Sequence, residues 1–230
     1  SHGSACDHDV QRKAIEAMAA AGLLPAIGLE MVPVDQAPVL KLFNQRRIAP
    51  EAMGRALLWS LNWGFPFGLY RPIFETAERW NLPVVALNVP PTAAFVVADR
   101  NAPLASIHPR STAPEQIIPP SPRQLAELRE EFEAHREYLG QGADDFDRFA
   151  LVQAMWDSMM AEEALRAVRD LGRPVVVLAG AGHVEALGIP YRLHLLAPEV
   201  RVLTVLPWRG GAPPNHGESD LHYFCPVAME

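Results

Sequence analysis

Three short apolar runs constrain this chain more than any other feature: LPAIGLE ending at Glu30, PVVALNV containing Asn88, and PVVVLAG leading into Gly180-Ala181-Gly182-His183. Each is too short for an ordinary globular helix. Each favours Val, Ile and Leu with little polar alternation, the pattern of a parallel strand covered by helices on both faces. Polar groups arrive at the carboxyl end of every run. In an open α/β sheet ligands bind outside that edge, so one pocket near Glu30, Asn88 and His183 is expected. The fold expected is α/β, a largely parallel sheet flanked by helices, with an added helical cap or subdomain.

The 49% hydrophobic content of 230 residues is enough for one substantial core, so 1–230 reads as a single domain. The formal charge of -7, from 20 basic and 27 acidic residues with no Lys/Arg run, argues against nucleic acid or anionic lipid as an electrostatic partner. No stretch reaches the roughly 20 apolar residues of a membrane span, so no transmembrane segment is expected. The chain opens at Ser1-His2 without a basic region and apolar leader, so an export signal is expected to be removed or absent, and an upstream lipid anchor would be invisible. Cys6 and Cys225 can pair but form no metal motif or disulfide framework, which leaves the redox compartment open.

Apolar spacing predicts a helix over 10–21 stopped by Gly22, a strand over 24–30, and one or two helices over 34–61. The aromatic segment 62–68 reads as a loop. Pro72 suits the first turn of a helix running to Trp80, and a strand follows over 83–89. Residues 90–120 are proline-rich and irregular, a candidate cover for a pocket. Helices over 121–138 and 145–171, separated by Gly140-Gln141-Gly142, form the expected cap at 121–171. Final strands are expected over 200–206 and 221–227.

The chemistry-bearing residues have plain alternatives. Glu30 near a buried strand end is a site carboxylate, or it caps a helix or pairs with an arginine. His183 follows glycines that bring backbone close to a ligand, or it is incidental to a Gly-rich turn. His2 and His8 are too irregularly placed to define a metal site alone, though imidazole nitrogens with the Glu30 carboxylate suit zinc or iron. His2 is equally a terminal residue without a role, and His8 the start of a helix. Gln153 and Asp157 share one helix face and point either inward at the sheet end or outward to solvent.

Read as a whole, HGSACDHDVQ at 2–11, GLEM at 28–31, WGFPFGLYRPIFE at 63–75, VVALNVP at 84–90, VQAMWDSMMAE at 152–162 and LAGAGHV at 178–184 resemble the ChaN-like, haem-binding-uptake branch of the Tiki, TraB and erythromycin-esterase superfamily. The resemblance covers nearly the whole chain. It implies an α/β core whose first strand, with the family's opening Gly-Glu-x-His glutamate, would lie before Ser1. It also implies that His2, Glu30, Arg71 and His183 face one cleft, with His8, Gln11, Asn88, Gln153 and Asp157 as support. Gly3 stands where the family carries an acidic residue, a departure that bears on metal chemistry.

From the resemblance, the first expectation is a protein that binds haem or a related iron ligand in bacterial iron uptake, periplasmic or lipid-anchored in the cell envelope, and able to form a homodimer. Trp63, Phe65, Phe67 and Tyr70 would offer a flat apolar surface, and Tyr70 would ligate haem as a phenolate favoured by Arg71. The same aromatics read equally as packing between cap and sheet. The alternative is a metal-dependent hydrolase of peptides or small esters: His2, Glu30 and His183 hold a divalent metal and Arg71 stabilises an oxyanion, or, without metal, His2 or Glu30 activates water. A third reading is a non-catalytic partner-binding protein.

Overall fold

The computed structural model describes residues 2–98, 102–135, 146–185, 187–210 and 219–225. Strand β1 (Ala26–Pro33) lies between β2 (Val84–Asn88) and β3 (Val175–Leu178) in a three-stranded sheet. Both pairings are parallel, with Leu29 opposite Ala86 on one side and Leu178 on the other. Glu30, Asn88 and the Gly180 turn therefore share the carboxyl edge, as the three apolar runs imply. β1 continues past Glu30 because Met31 and Val32 are buried as well, and its register with β2 shifts between Leu29 and Pro33.

Helices cover both faces. Ile15 and Ala19 of α1 (Ala5–Ala20), Leu40 and Phe43 of α2 (Ala37–Asn44), and Ile73, Phe74 and Ala77 of α5 (Arg71–Trp80) pack with Ile27 and Leu29 on one side. On the other, Met160, Ala164 and Leu165 of α8 (Phe146–Leu171) meet Leu193 of α10 (Ile189–Leu196) and Leu87 of β2. Helix α6 (Pro91–Ala98) closes against α8 through Ala93, Val97, Met155 and Met159. The stop signals act as expected: Gly22 at φ 81 ends α1 and Gly172 at φ 60 ends α8.

Between α2 and α5 the structure departs from the expected helices over 34–61. Only α2 is a sustained helix there. Single turns, α3 (Met53–Ala56) and α4 (Trp59–Asn62), follow a 3-10 turn at Pro50–Ala52. Positive φ at Arg46 (58) and Leu58 (49) breaks the chain on either side of α3, so apolar spacing persists without a continuous helix.

Helix α7 (Pro122–His135) packs on α8 through its own small cluster, Leu128, Phe132, Phe146 and Ala150. The Gly-containing turn expected at 140–142 lies outside the described residues. A short helix, α9 (Ala181–Val184), follows β3. Strands β4 (Val205–Trp208) and β5 (Leu221–Phe224) form a separate parallel pair, shifted from the expected 200–206 and 221–227. Pairing starts where Asp220 Oδ2 accepts from Thr204 N (2.7 Å) and Oγ1 (2.8 Å), and Pro207 is tolerated because β4 is an edge strand.

This small sheet is bound to the start of α1. Cys6 and Cys225, 219 residues apart, form a disulfide, and Arg209 pairs with Asp7, whose side chain is 1% exposed. Closing so long a loop removes much denatured-state entropy. Cys6→Ser with Cys225→Ser is expected to lower unfolding free energy by roughly 3–5 kcal/mol. Urea melts of the oxidised protein and the double variant would check this, and coincident curves would refute it.

Candidate functional site

The site is assembled from the ends of three elements and the helices around them. Glu30 projects from β1 with 6% exposure, and its Oε2 accepts from the Gly180 amide at 2.6 Å. His183 on α9 donates from Nδ1 to Oδ1 of Asp157 on α8, 2.7 Å away. Its Nε2 lies 3.6 Å from Glu30 Oε1. The imidazole therefore bridges two buried carboxylates.

Asp157 is also held from behind. Its Oδ2 accepts from Gln124 Nε2 on α7 (3.1 Å) and pairs with Arg192 Nη1 on α10 (3.2 Å). Burial alone pulls the His183 pKa down, but the Asp157 hydrogen bond and the negative field of Glu30, Asp157 and Glu131 outweigh it and raise it to about 9. At neutral pH the ring is an imidazolium, and it balances Glu30 as Arg192 balances Asp157.

His2 enters from the chain's first residues. Its Nε2 lies 2.8 Å from where a Gly180 Cβ would stand, so only glycine allows this approach. Its ring sits edge-on to Trp63 at 4.7 Å and against Phe65 at 5.3 Å. Burial lowers its pKa from 6.5 against the opposing pull of Glu30, leaving a neutral ring at pH 7. The His2 carbonyl accepts from His8 Nε2 (3.0 Å) and the Tyr70 hydroxyl (3.2 Å), and His8 Nδ1 meets Gln11 Oε1 at 3.0 Å. His8 and Gln11 thus support the His2 backbone.

Several sequence expectations change here. Tyr70 is 1% exposed, and its hydroxyl is occupied by the His2 carbonyl and by Trp63 Nε1 at 2.9 Å. Burial first, with the field of Glu30, pushes its pKa up to about 12 despite the Trp63 bond. The void beside it, lined by His2, His8, Gln11, Met31 and Leu178, is about 10 Å³, room for one water at most. In this structure Tyr70 is a buried phenol whose hydroxyl is already hydrogen-bonded, not part of an exposed flat surface. Arg71 does not favour its ionisation, because Arg71 Nε pairs with Glu75 (3.2 Å) on the half-exposed side of α5. Nor does Arg71 join the cluster; Arg192 is the arginine there.

Phe67 packs against Trp59 and Phe74 in the core, while Phe65 is 39% exposed. His2, Glu30 and His183 do converge, but not as a metal cage. One Glu30 oxygen accepts from the Gly180 amide, His183 Nδ1 is committed to Asp157, and no group of three or more His, Cys, Asp or Glu side chains is arranged to hold a metal ion among the described residues. Asn88 uses its Oδ1 on the Val89 amide, and Gln153 sits one turn before Asp157. A larger depression of about 400 Å³ lies elsewhere, beside Arg110, Glu115 and Arg166, with none of this cluster in its lining.

Gln124 and Arg192 are the residues that sequence reasoning missed. An arginine flanked by Tyr191 and Leu193 in a short, mostly apolar helix was the available signal for Arg192; Gln124 offered none.

With the geometry in view, comparison with known proteins is informative. The profile of the haem-binding-uptake ChaN family, Tiki superfamily, matches residues 1–193. The chain belongs to this family. A solved structure described as cofacial haem binding to ChaN of Campylobacter jejuni superposes with a TM-score of 0.73 at 15% identity, covering 96% of this chain and 83% of that one. That likeness establishes the ChaN fold. A mutant erythromycin esterase in its open conformation aligns at TM-score 0.45 and 14% identity over 90% of this chain and 69% of its own. No curated protein sequence matches significantly.

In this ChaN-family chain the raised His183 pKa has a measurable sign. Its stabilisation is complete below about pH 6.5 and is lost as pH rises through about 9. The stability advantage of the wild type over His183→Gln is expected to shrink, by on the order of 3 kcal/mol, between about pH 6 and about pH 10. Thermal melts of both proteins test it; an advantage that grows with pH would show the opposite linkage.

Proposed function

We propose that this protein binds haem and serves iron uptake in a bacterial cell envelope. The family match over residues 1–193 carries this reading. Two features of the chain support it. Phe65 at 39% exposure offers an apolar ring suited to a porphyrin face, next to the His2 and Trp63 rings. The Cys6–Cys225 disulfide suits an oxidising compartment outside the cytoplasm, and no described helix is long and apolar enough to cross a membrane. Tyr70 does not fit as an axial ligand.

Haem titration followed by absorption is expected to give saturable binding. Phe65→Ala should weaken it roughly 2- to 10-fold, the worth of one aromatic contact. Tyr70→Phe should leave the spectrum unchanged while costing about 1 kcal/mol of stability for the lost hydroxyl bonds. No saturable binding would end the haem reading, and a ligand band lost in Tyr70→Phe would restore that tyrosine as ligand. Homodimer formation belongs to the same proposal, and light scattering with and without haem measures it.

A second reading is favoured by one observation, the placement of His183 between Asp157 and Glu30. An imidazolium held this way is a general acid or oxyanion stabiliser, with Glu30 Oε1 the base that activates water. Hydrolysis of peptide or ester substrates abolished by both Glu30→Gln and His183→Ala, with folding intact, would establish it; a broad screen without turnover would dismiss it.

A further inference from the structure

Neither reading uses Arg192 or Gln124, yet both are buried, at 0% and 5% exposure. Removing a guanidinium from water costs several kcal/mol unless nearly every donor is satisfied. Arg192 finds its acceptors on three separate segments. Nη1, with two protons, donates to Gln124 Oε1 (2.5 Å) and the Leu187 carbonyl (2.7 Å), with the Gly188 carbonyl (3.3 Å) and Asp157 Oδ2 (3.2 Å) beside it; Nη2 donates to the Ile118 carbonyl (3.2 Å), and the buried Nε has no hydrogen-bond partner among the described residues.

These contacts fix His183 twice. Asp157 orients its ring. Gly188 supports its backbone: a Cβ on Gly188 would lie 2.4 Å from the His183 carbonyl oxygen, so the two peptides are in direct contact. Arg192 holds both Asp157 and the Leu187-Gly188 peptides. Two further partners lie on the segment entering α7: Gln124 in its first turn, and Ile118 in the chain before it, whose N in turn donates to Ser158 Oγ on α8 at 2.9 Å. Beyond this point α7 is attached through the separate small cluster around Leu128 and Phe132.

We propose that Gln124 and Arg192 are positioning residues that form a latch, through which the seating of α7 sets the orientation of His183. If α7 lifts, Arg192 loses the Gln124 acceptor and Asp157 loses the Gln124 donor, while Ile118 stays tied to Ser158, and the carboxylate is held less firmly against the imidazole. The titratable and charged groups around His183 are Glu30 on β1, Asp157 on α8, Glu131 on α7, Arg192 on α10, paired with Asp157, and the neutral His2 ahead of α1. Glu131 makes α7 a second contributor to the field at the ring. The latch is a property of the cluster itself and does not depend on whether haem or a hydrolysable substrate is the ligand.

The test reads the imidazole directly. In proton NMR of the full chain at neutral pH, the His183 Nδ1 proton, deshielded by its hydrogen bond to Asp157 and protected from exchange by burial, should give a downfield resonance that is absent in His183→Gln. Gln124→Met keeps the side-chain volume but removes the pairing; it should shift that resonance upfield or broaden it away. Leu40→Ala, in the core on the opposite face, should lower stability and leave the resonance in place. By reciprocity His183→Gln should speed amide exchange at residues 122–128.

An unchanged resonance in Gln124→Met, or the same loss in Leu40→Ala, would overturn the latch. Should Gln124→Met not fold, Gln124→Glu retains the acceptor for Arg192 but loses the donor to Asp157, and an unperturbed resonance there would count equally against it. Haem titration plays no part in these measurements, so failure of the haem reading and failure of the latch are separate results.

Discussion

The pairing of Asp157 with Arg192 inside the helical layer is the constraint from which the rest of the site follows. A carboxylate at 1% exposure and a guanidinium at 0% are tolerated inside the fold because they pair with each other and both make further hydrogen bonds. With Oδ2 of Asp157 occupied, Oδ1 remains for one strong donor, and His183 supplies it. The resulting imidazolium can then sit near Glu30, which is itself anchored by the Gly180 amide. Four charges of alternating sign run from α10 to β1, and each makes the next affordable in a medium of low dielectric constant.

The aromatic segment serves a different purpose from the one its composition suggests. Trp59, Phe67 and Tyr70 form a stacked wall under the first residues, and the Tyr70 hydroxyl holds the His2 peptide instead of facing a ligand. Phe65 is the ring left partly open to solvent. Half of what looked like a flat binding surface is thus the support of the His2 turn, and the other half remains available for contact.

Much of the fold was legible because its signals are local. The three apolar runs near Glu30, Asn88 and Gly180 could hardly be anything but parallel strands, and Gly172 marked the end of α8 where the structure ends it. Glu30 and His183 were legible as a pair because each follows a strand at that edge, whereas Asp157 could face inward or outward on its helix and joined them only through the family resemblance. Features that depend on partners distant in sequence were not. Arg192 looks like a surface residue of a short helix until Asp157, Gln124 and Ile118 are brought to it. The strand expected over 200–206 forms later, at Val205–Trp208, and Pro207 is acceptable within it because β4 is an edge strand. Whether Tyr70 is buried or exposed cannot be read from FGLYRP, because burial is decided by what His8 and Trp59 do.

The disulfide between Cys6 and Cys225 has a topological meaning apart from its thermodynamic one. It joins the first helix to the end of the last described strand, so nearly all of the chain lies within one covalent ring. A protease that cuts once anywhere between those cysteines opens the ring but releases nothing. The nicked protein keeps its mass, and the segments bearing Glu30, Asp157 and His183 remain tethered in one molecule whichever peptide bond was lost. Only a reductant turns such a cut into two pieces. In a compartment rich in proteases and poor in thiols, this chain is built to survive a single break.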